Sequence, residues 1–403
     1  MRFATPLVAV LLPLSAMTSA SAQATAPADG QLDGAVVEAM LAVTGQARAN
    51  VISDGRSFQV NVSREDAKAG WSTGTAVITA PDREGSYPDG WVFVAQRDKG
   101  RWSVGLDGTD EFGRLAQIAP EGVLSAQERE VFAAAGRMGR FPAKPQADGD
   151  VGITATASYT TELRLPFAIG QSWRLTGGPH GTSRSAIDLA GGDGRVLAAG
   201  NGNVYVMCSS RRGWLRVYHP NGYTSDYYHL YNNIAPANGT GVAEGAFLGN
   251  IGNDVSCGGL STGPHVHWSI LKGNTKVPWH LRSAGKWVFF NGVNEYEGYA
   301  LHGSTRVNVG GYVYNYGKLM QNQGLIDTFG GGNLNRRSGP GTNYAIVGTV
   351  PDGATVNLVC WRSGGTSHTG RYGATSVWDK LSDGTWVSDA FVYSGMVLVG
   401  PSC

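Results

Sequence analysis

Between about residues 155 and 305 the chain repeats one pattern: short Val-, Tyr- and Trp-rich runs cut by Gly, Asn and Pro. RSAIDLAG, GRVLAAGNGNVYVMCSS, WLRVYHPNGYTSDYYHLY and HVHWSIL follow one another in this way. Such runs, bounded by turn residues, read as strands, and Asn221-Gly222 is a strong hairpin signal. The pattern specifies an antiparallel β-domain. Composition agrees. Charged residues make up only 16% of the chain and there are 59 glycines, a balance that suits strands and turns better than helical bundles. The formal net charge of +1 lacks the basic excess of a nucleic-acid binder, so no nucleic-acid partner is expected.

With 403 residues the chain exceeds one ordinary core, and two or three domains are expected. Residues 1–22 read as a secretory signal peptide: Arg2, an apolar stretch, then Ala20-Ser21-Ala22 at the cleavage point. The stretch is too short to span a bilayer and Pro13 interrupts it. A secreted, extracellular protein without a membrane partner is therefore expected. Residues 23–136 read as a small α+β unit. LDGAVVEAMLAVTG has helical periodicity, with Val36, Val37, Met40, Leu41 and Val43 on one stripe and Gly45 at its end. GTAVITA and GWVFVAQRDKGRWSVGL read as strands, the second a hairpin turning at Asp98-Lys99-Gly100. LSAQEREVFAAAG reads as a helix with Ser125 at the cap and Glu128 three residues on. This unit has neither Cys nor His, and no obvious chemistry.

A Pro/Gly-rich linker is expected over 137–154. Residues 1–150 carry net −4 and residues 151–403 net +5. An acidic front on a basic remainder suits a pro-segment that covers a site until it is removed. A third unit, 325–403, reads as a compact β-barrel. The four cysteines, Cys208, Cys257, Cys360 and Cys403, imply disulfides in a secreted chain. Of the three possible pairings, their clustering favours Cys208–Cys257 and Cys360–Cys403.

None of the eight histidines precedes the linker. His180, His219, His229, His265 and His267 all fall in the β-domain. On a strand, His265 and His267 of PHVHW share a face while Val266 points to the core. Asp188 lies in AIDLA, where a carboxylate is costly unless paired or metal-bound. His180, Asp188 and one histidine of the His265/His267 pair make a two-His, one-carboxylate zinc site with an open position, the catalytic arrangement. The other histidine of the pair and His229 are candidates for general acid–base work. His219 precedes a turn and reads as structural; His280, His302 and His368 have no identifiable partner in the sequence.

GPHVHW, a His before AIDLA, and YYHLY between them resemble the lysostaphin-type zinc endopeptidases, the family that includes staphylolysin and β-lytic protease. The resemblance spans about 165–300. It implies an open antiparallel sheet, one Zn²⁺ per chain held by His180, Asp188 and His267, and catalytic roles for His229 and His265. It also implies hydrolysis of peptide cross-links in bacterial peptidoglycan, often at glycine bonds. Many members space the His and Asp four apart; the longer spacing here, and a disulfide in the catalytic domain, resemble the staphylolysin and β-lytic branch. A transition-state tyrosine is expected, with Tyr296 and Tyr299 as candidates. The front unit resembles the propeptides of such enzymes. Through LNRRSGPGTNYAIVGTVPDGATV the tail resembles the SH3-like domains of wall hydrolases. There Tyr344, Trp361, Trp378 and Trp386 either line a peptide groove or fill the barrel core.

The expectation is a mostly β, monomeric chain: an antiparallel β-sheet zinc endopeptidase domain over 155–305 and an SH3-like wall-binding barrel, preceded by an α+β pro-domain. The alternative is a non-catalytic wall-binding or regulatory protein, which would be expected to lack one of the five site residues. A serine hydrolase would need a nucleophile elbow, and no convincing one is present.

Overall fold

The computed structural model of the protein describes residues 31–83, 85–139, 159–396 and 398–403. The expected signal peptide and most of the expected linker lie outside them.

The front unit is a four-stranded antiparallel sheet with helices on both faces. Helix α1 (Leu32–Thr44) buries Val36, Val37, Met40 and Leu41 and stops at Gly45, whose φ of 65° suits glycine. Val43, in the last turn, projects past that core and is 48% exposed. After the short α2 (Arg48–Ser53), strands β1 (Phe58–Asp66), β2 (Trp71–Ile78), β3 (Asp89–Asp98) and β4 (Arg101–Leu106) pair in chain order. Lys99 and Gly100 have positive φ, and they turn the β3–β4 hairpin where the sequence placed it. Helices α3 (Asp110–Ile118) and α4 (Ala126–Gly139) follow. At the start of α4, Glu128 N–H donates to Ser125 Oγ and Ser125 N–H to a Glu128 carboxylate oxygen, the expected capping box.

Strand β2 is buried at every position, and the reason lies in what covers each face. Ala76, Ile78, Trp91 and Phe93 pack under α1. Val77, Val92 and Val94 on the other face join α3, α4 and Tyr205, Met207, Trp214, Tyr218 and Tyr228 of the next unit in one core. The front unit is thus docked on the central domain through shared apolar surface. Burying a large side chain of this kind contributes about 1.5–3 kcal/mol.

The central domain is built on a nine-stranded antiparallel sheet. Its strands are β5 (Ser172–His180), β6 (Ala186–Gly191), β8 (Gly202–Val206), β9 (Gly213–Tyr218), β10 (Tyr223–Leu230), β11 (Thr240–Val242), β13 (Val266–Lys272), β14 (Thr275–Lys276) and Tyr312–Tyr314. Strands β7 (Arg195–Leu197) and β12 (Phe247–Asn250) pair apart from it. The spatial order runs β11-β8-β9-β10-β13-β6-β5 and ends at Tyr312–Tyr314. Alternation assigns the faces. Ile187, Leu189, Val204, Val206, Leu215, Val217, Tyr227, Val266, Trp268 and Ile270 form one core with Trp173 and Trp279. The intervening residues, Asp188, Tyr205, Arg216, Asp226 and His267 among them, point to the opposite face, toward the front unit.

A four-stranded sheet over 283–308, a seven-stranded sheet over 323–393 and a two-stranded hairpin, His368–Gly370 with Gly373–Thr375, follow. Both expected disulfides are present, Cys208–Cys257 and Cys360–Cys403. In the tail, Trp378 and Trp386 are buried, whereas Tyr344 is exposed. No helix among the described residues is long and apolar enough to cross a membrane.

Candidate metal centre

Asp188 and His267 face each other across the β6–β13 ladder. Ile187, Leu189 and Val266 lie in the core behind them, so strand alternation alone sends both polar side chains to the opposite face. His180 comes from the end of β5. The pairing with β6 shifts register between Gly177 and His180. A Cβ on Gly177 would stand 2.5 Å from Asp188 Oδ2, so glycine gives the carboxylate its room.

The three side chains converge. His180 Nε2 lies 3.1 Å from His267 Nδ1 and 3.5 Å from Asp188 Oδ1, and His267 Nδ1 lies 3.1 Å from Asp188 Oδ1. Zinc–nitrogen and zinc–oxygen bonds of about 2.0–2.2 Å in a tetrahedron set ligand atoms about 3.3–3.5 Å apart, so this triangle fits a tetrahedral cation. The donor chemistry fits as well. His180 Nδ1–H donates to the Gly178 carbonyl at 2.7 Å, which leaves the Nε2 lone pair facing inward. His267 Nε2 is 3.1 Å from Ser269 Oγ, which leaves Nδ1 to face the cluster. Two ring nitrogens and a carboxylate oxygen then meet, and one divalent cation satisfies all three.

His229 and His265 stand beside this cluster. Their ring centroids are 4.8 Å apart, and His265 Nε2 is 3.5 Å from Asp188 Oδ1. Each is held the way His180 is: His229 Nδ1–H donates to Asp254 O at 2.9 Å and His265 Nδ1–H to Gly263 O at 2.7 Å, and both Nε2 atoms remain as acceptors. Regular alternation would send His229 the same way as Tyr227, into the core. A register shift between Tyr227 and Leu230 and a φ of 66° at His229 turn the ring out instead. Burial brings His180 down to about 4, against the opposing pull of Asp188. Burial, with His265 nearby, brings His229 down to about 4, and burial holds His267 well below the usual histidine value. These rings are neutral near pH 7, as a metal ligand or a general base must be.

Of the two tyrosine candidates, Tyr296 reaches the site: its ring stacks on His180 at 3.9 Å. Tyr299 stacks on Phe290 instead, with Arg306 over its ring. His219 is buried in hydrogen bonds to Asn201 O and Ser225 Oγ, away from the cluster. One residue at the site had no signal in the sequence. Tyr87, from the front unit, puts its hydroxyl 2.9 Å from His180 Nε2 and its ring 3.8 Å from that of His267. Nothing in GSYPDG marks it as more than a turn tyrosine.

A His–Asp–His cluster flanked by two further histidines on an antiparallel sheet defines a candidate metal centre with acid–base groups beside it. The description Peptidase family M23 matches residues 182–279, a span that includes Asp188, His229, His265 and His267 and begins just after His180. The chain is 33% identical over 125 residues to the beta-lytic metalloendopeptidase of Lysobacter enzymogenes, covering 27% of this chain and 67% of that one. It is 31% identical over 159 residues to Protease LasA of Pseudomonas aeruginosa, covering 36% of this chain and 37% of LasA. A solved structure, the M23 metalloprotease pseudoalterin, shares 28% identity over 38% of this chain and 97% of its own, with a TM-score of 0.34. The chain belongs to peptidase family M23. It spans little more than a third of the length of LasA.

Proposed function

We propose that the protein is a secreted zinc endopeptidase that hydrolyses peptide cross-links of bacterial peptidoglycan, at glycine-containing bonds, and is made as a latent precursor. The observation that carries the reading is the triangle of His180 Nε2, Asp188 Oδ1 and His267 Nδ1, with edges of 3.1–3.5 Å, and with His229 and His265 beside it. His180, Asp188 and His267 would hold Zn²⁺, which supplies Lewis acidity to polarise the scissile carbonyl and make water nucleophilic near neutral pH. His265 and His229 present Nε2 lone pairs to the same space. One takes the proton of the attacking water and passes it to the leaving amine. The Tyr296 phenol, against His180, donates to the oxygen on which charge develops.

The reading gives the remaining units supporting roles. The acidic front unit covers the site in the precursor. The tail tethers the enzyme to the wall, which raises its local concentration on the polymer. The test is clearing of a Gram-positive wall suspension by the chain freed of residues 1–150, with and without a chelator, and mass spectrometry of the released peptides. Chelator-sensitive clearing with new glycine termini supports the reading. Wall binding without any cleavage would leave a binding protein.

A further inference from the structure

A basin of about 530 Å³ opens next to His229, within the size range of sites that take small ligands. Its walls are residues 210–212, residues 230–233 and Asp254. All belong to the central domain, so the docked front unit does not line it. Asp254 ties the basin to the metal centre: its carbonyl accepts from His229 Nδ1–H at 2.9 Å, and its N–H donates to His229 O at 3.3 Å. A chain advances about 3.3–3.6 Å per residue, so a peptide cut at the metal reaches the basin within a few residues of the cut bond. Two arginines and one aspartate supply the charge. The Arg211 guanidinium already donates to Ala235 O at 2.7 Å and to Pro236 O at 2.8 Å. The Asp254 carboxylate accepts from Ser256 N–H at 2.9 Å and from Ser256 Oγ. Arg212 is exposed, and its guanidinium has no hydrogen bond or ion pair among the described residues. We propose that the basin is a subsite for a carboxylate of the substrate peptide, with Arg212 as its specificity-determining residue. A guanidinium takes a carboxylate through two parallel N–H···O bonds, and Tyr231, 60% exposed, gives the basin an aromatic wall. The inference rests on the metallopeptidase reading and deepens it: the preferred peptide carries an acidic side chain or a free C-terminus close to the cut bond.

The turn that carries the two arginines is held in place. The Cys208–Cys257 bridge anchors its start. Asn233 Oδ1 accepts from Gly213 N–H at 3.2 Å, and Asn233 Nδ2 donates to Arg211 O at 3.3 Å. Gly213 has a φ of 74°, and a Cβ there would stand 2.1 Å from Asp254 Oδ1, so only glycine lets the turn meet Asp254 this closely. Arg211 and Asn232, on two of the walls, hold φ values of 58° and 48°. Such backbone persists where the surroundings enforce it, and it concentrates at functional sites. The subsite is therefore formed before the peptide arrives, which keeps the ordering cost of binding low.

The test titrates three acetylated peptides into the intact chain and follows the basin's backbone amides by NMR. Acetyl-Gly-Gly-Gly has a free terminal carboxylate, acetyl-Gly-Glu-Gly amide has only a side-chain carboxylate, and acetyl-Gly-Gly-Gly amide has neither. In the wild type at least one carboxylate peptide should bind about tenfold more tightly than the neutral one, and which one does so identifies the source of the carboxylate. Arg212→Lys should keep part of that preference, since a point charge lacks the planar fork. Arg212→Gln should bring all three peptides to one affinity. Equal affinities in the wild type, no binding of any peptide, or a preference that survives Arg212→Gln would overturn the proposal. Zinc per chain, counted on the same samples, should not differ between wild type and variants. A wild type with one zinc and no preference overturns the subsite alone; a wild type that takes up no zinc overturns the metallopeptidase reading beneath it.

Discussion

Tyr205→Phe should loosen the front unit without touching the metal cluster. Tyr205 belongs to the central sheet, and its hydroxyl donates to Glu128 of α4 at 2.6 Å. Glu128 is fully buried and also accepts from two Arg64 nitrogens, from Ser125 N–H and from Ser125 Oγ. Removing the Tyr205 hydroxyl therefore does not strand a buried charge, which would cost about 3–5 kcal/mol. It removes one hydrogen bond to a charged group, worth about 1.5–3 kcal/mol. At about 1.4 kcal/mol per tenfold, the docked state should be disfavoured by roughly one to two orders of magnitude. Native-state hydrogen exchange of α4 amides in the intact chain reads this as a lowered opening free energy, and limited proteolysis of the front unit should speed up in step. Protection within about 0.5 kcal/mol of wild type would refute the argument. It would mean that Arg64 and Ser125 alone satisfy Glu128.

The same interface makes docking pH-dependent. Asp107 is buried and pushed up to about 6 by desolvation, with Arg216 and the Tyr218 hydroxyl pulling the other way. An acid raised from its ordinary 3.8 adds docking stability that is complete below about pH 4 and is lost as pH rises through about 6. The wild type should therefore lose more docking stability than Asp107→Asn between pH 4 and pH 7, the buried His180 and His229 contributing equally to both proteins; a difference between the two that does not change with pH contradicts the account. His265→Ala should keep the metal and lose most turnover, whereas His267→Ala should lose both; metal analysis beside a peptide assay separates them, and loss of metal in His265→Ala reverses the ligand assignment. Reduction of Cys208–Cys257 should destabilise the central domain by about 2–5 kcal/mol, and a thermal melt indifferent to reductant counts against that role.

How far the sequence could be read depended on whether the determinants were local. Strand alternation carried the faces of β6 and β13: Ile187, Leu189 and Val266 go to the core and Asp188 and His267 to the opposite side. The capping box at Ser125 and the stop at Gly45 are short-range hydrogen bonding and backbone conformation, legible for the same reason. The family resemblance suggested roles for His229 and His265 but carried no geometry. The ring of His229 reaches the site through a bulge and a positive φ, which an even strand pattern conceals. Tyr296 and Tyr299 are equivalent in the sequence and only the folded loop separates them. Tyr87 meets His180 across 93 positions of chain. That contact follows from two units docking, and neither unit's own pattern records it. The continuous burial of β2 has the same origin, since its second face is covered by the central domain.

The central claim is that three converging donor atoms on the sheet hold one catalytic zinc. The most direct measurement is zinc per chain by mass spectrometry of metals in the purified protein, wild type beside His180→Ala. The account predicts one zinc per wild-type chain and none retained by the variant after dialysis. A wild-type chain without zinc, or a variant that keeps it, would contradict the account.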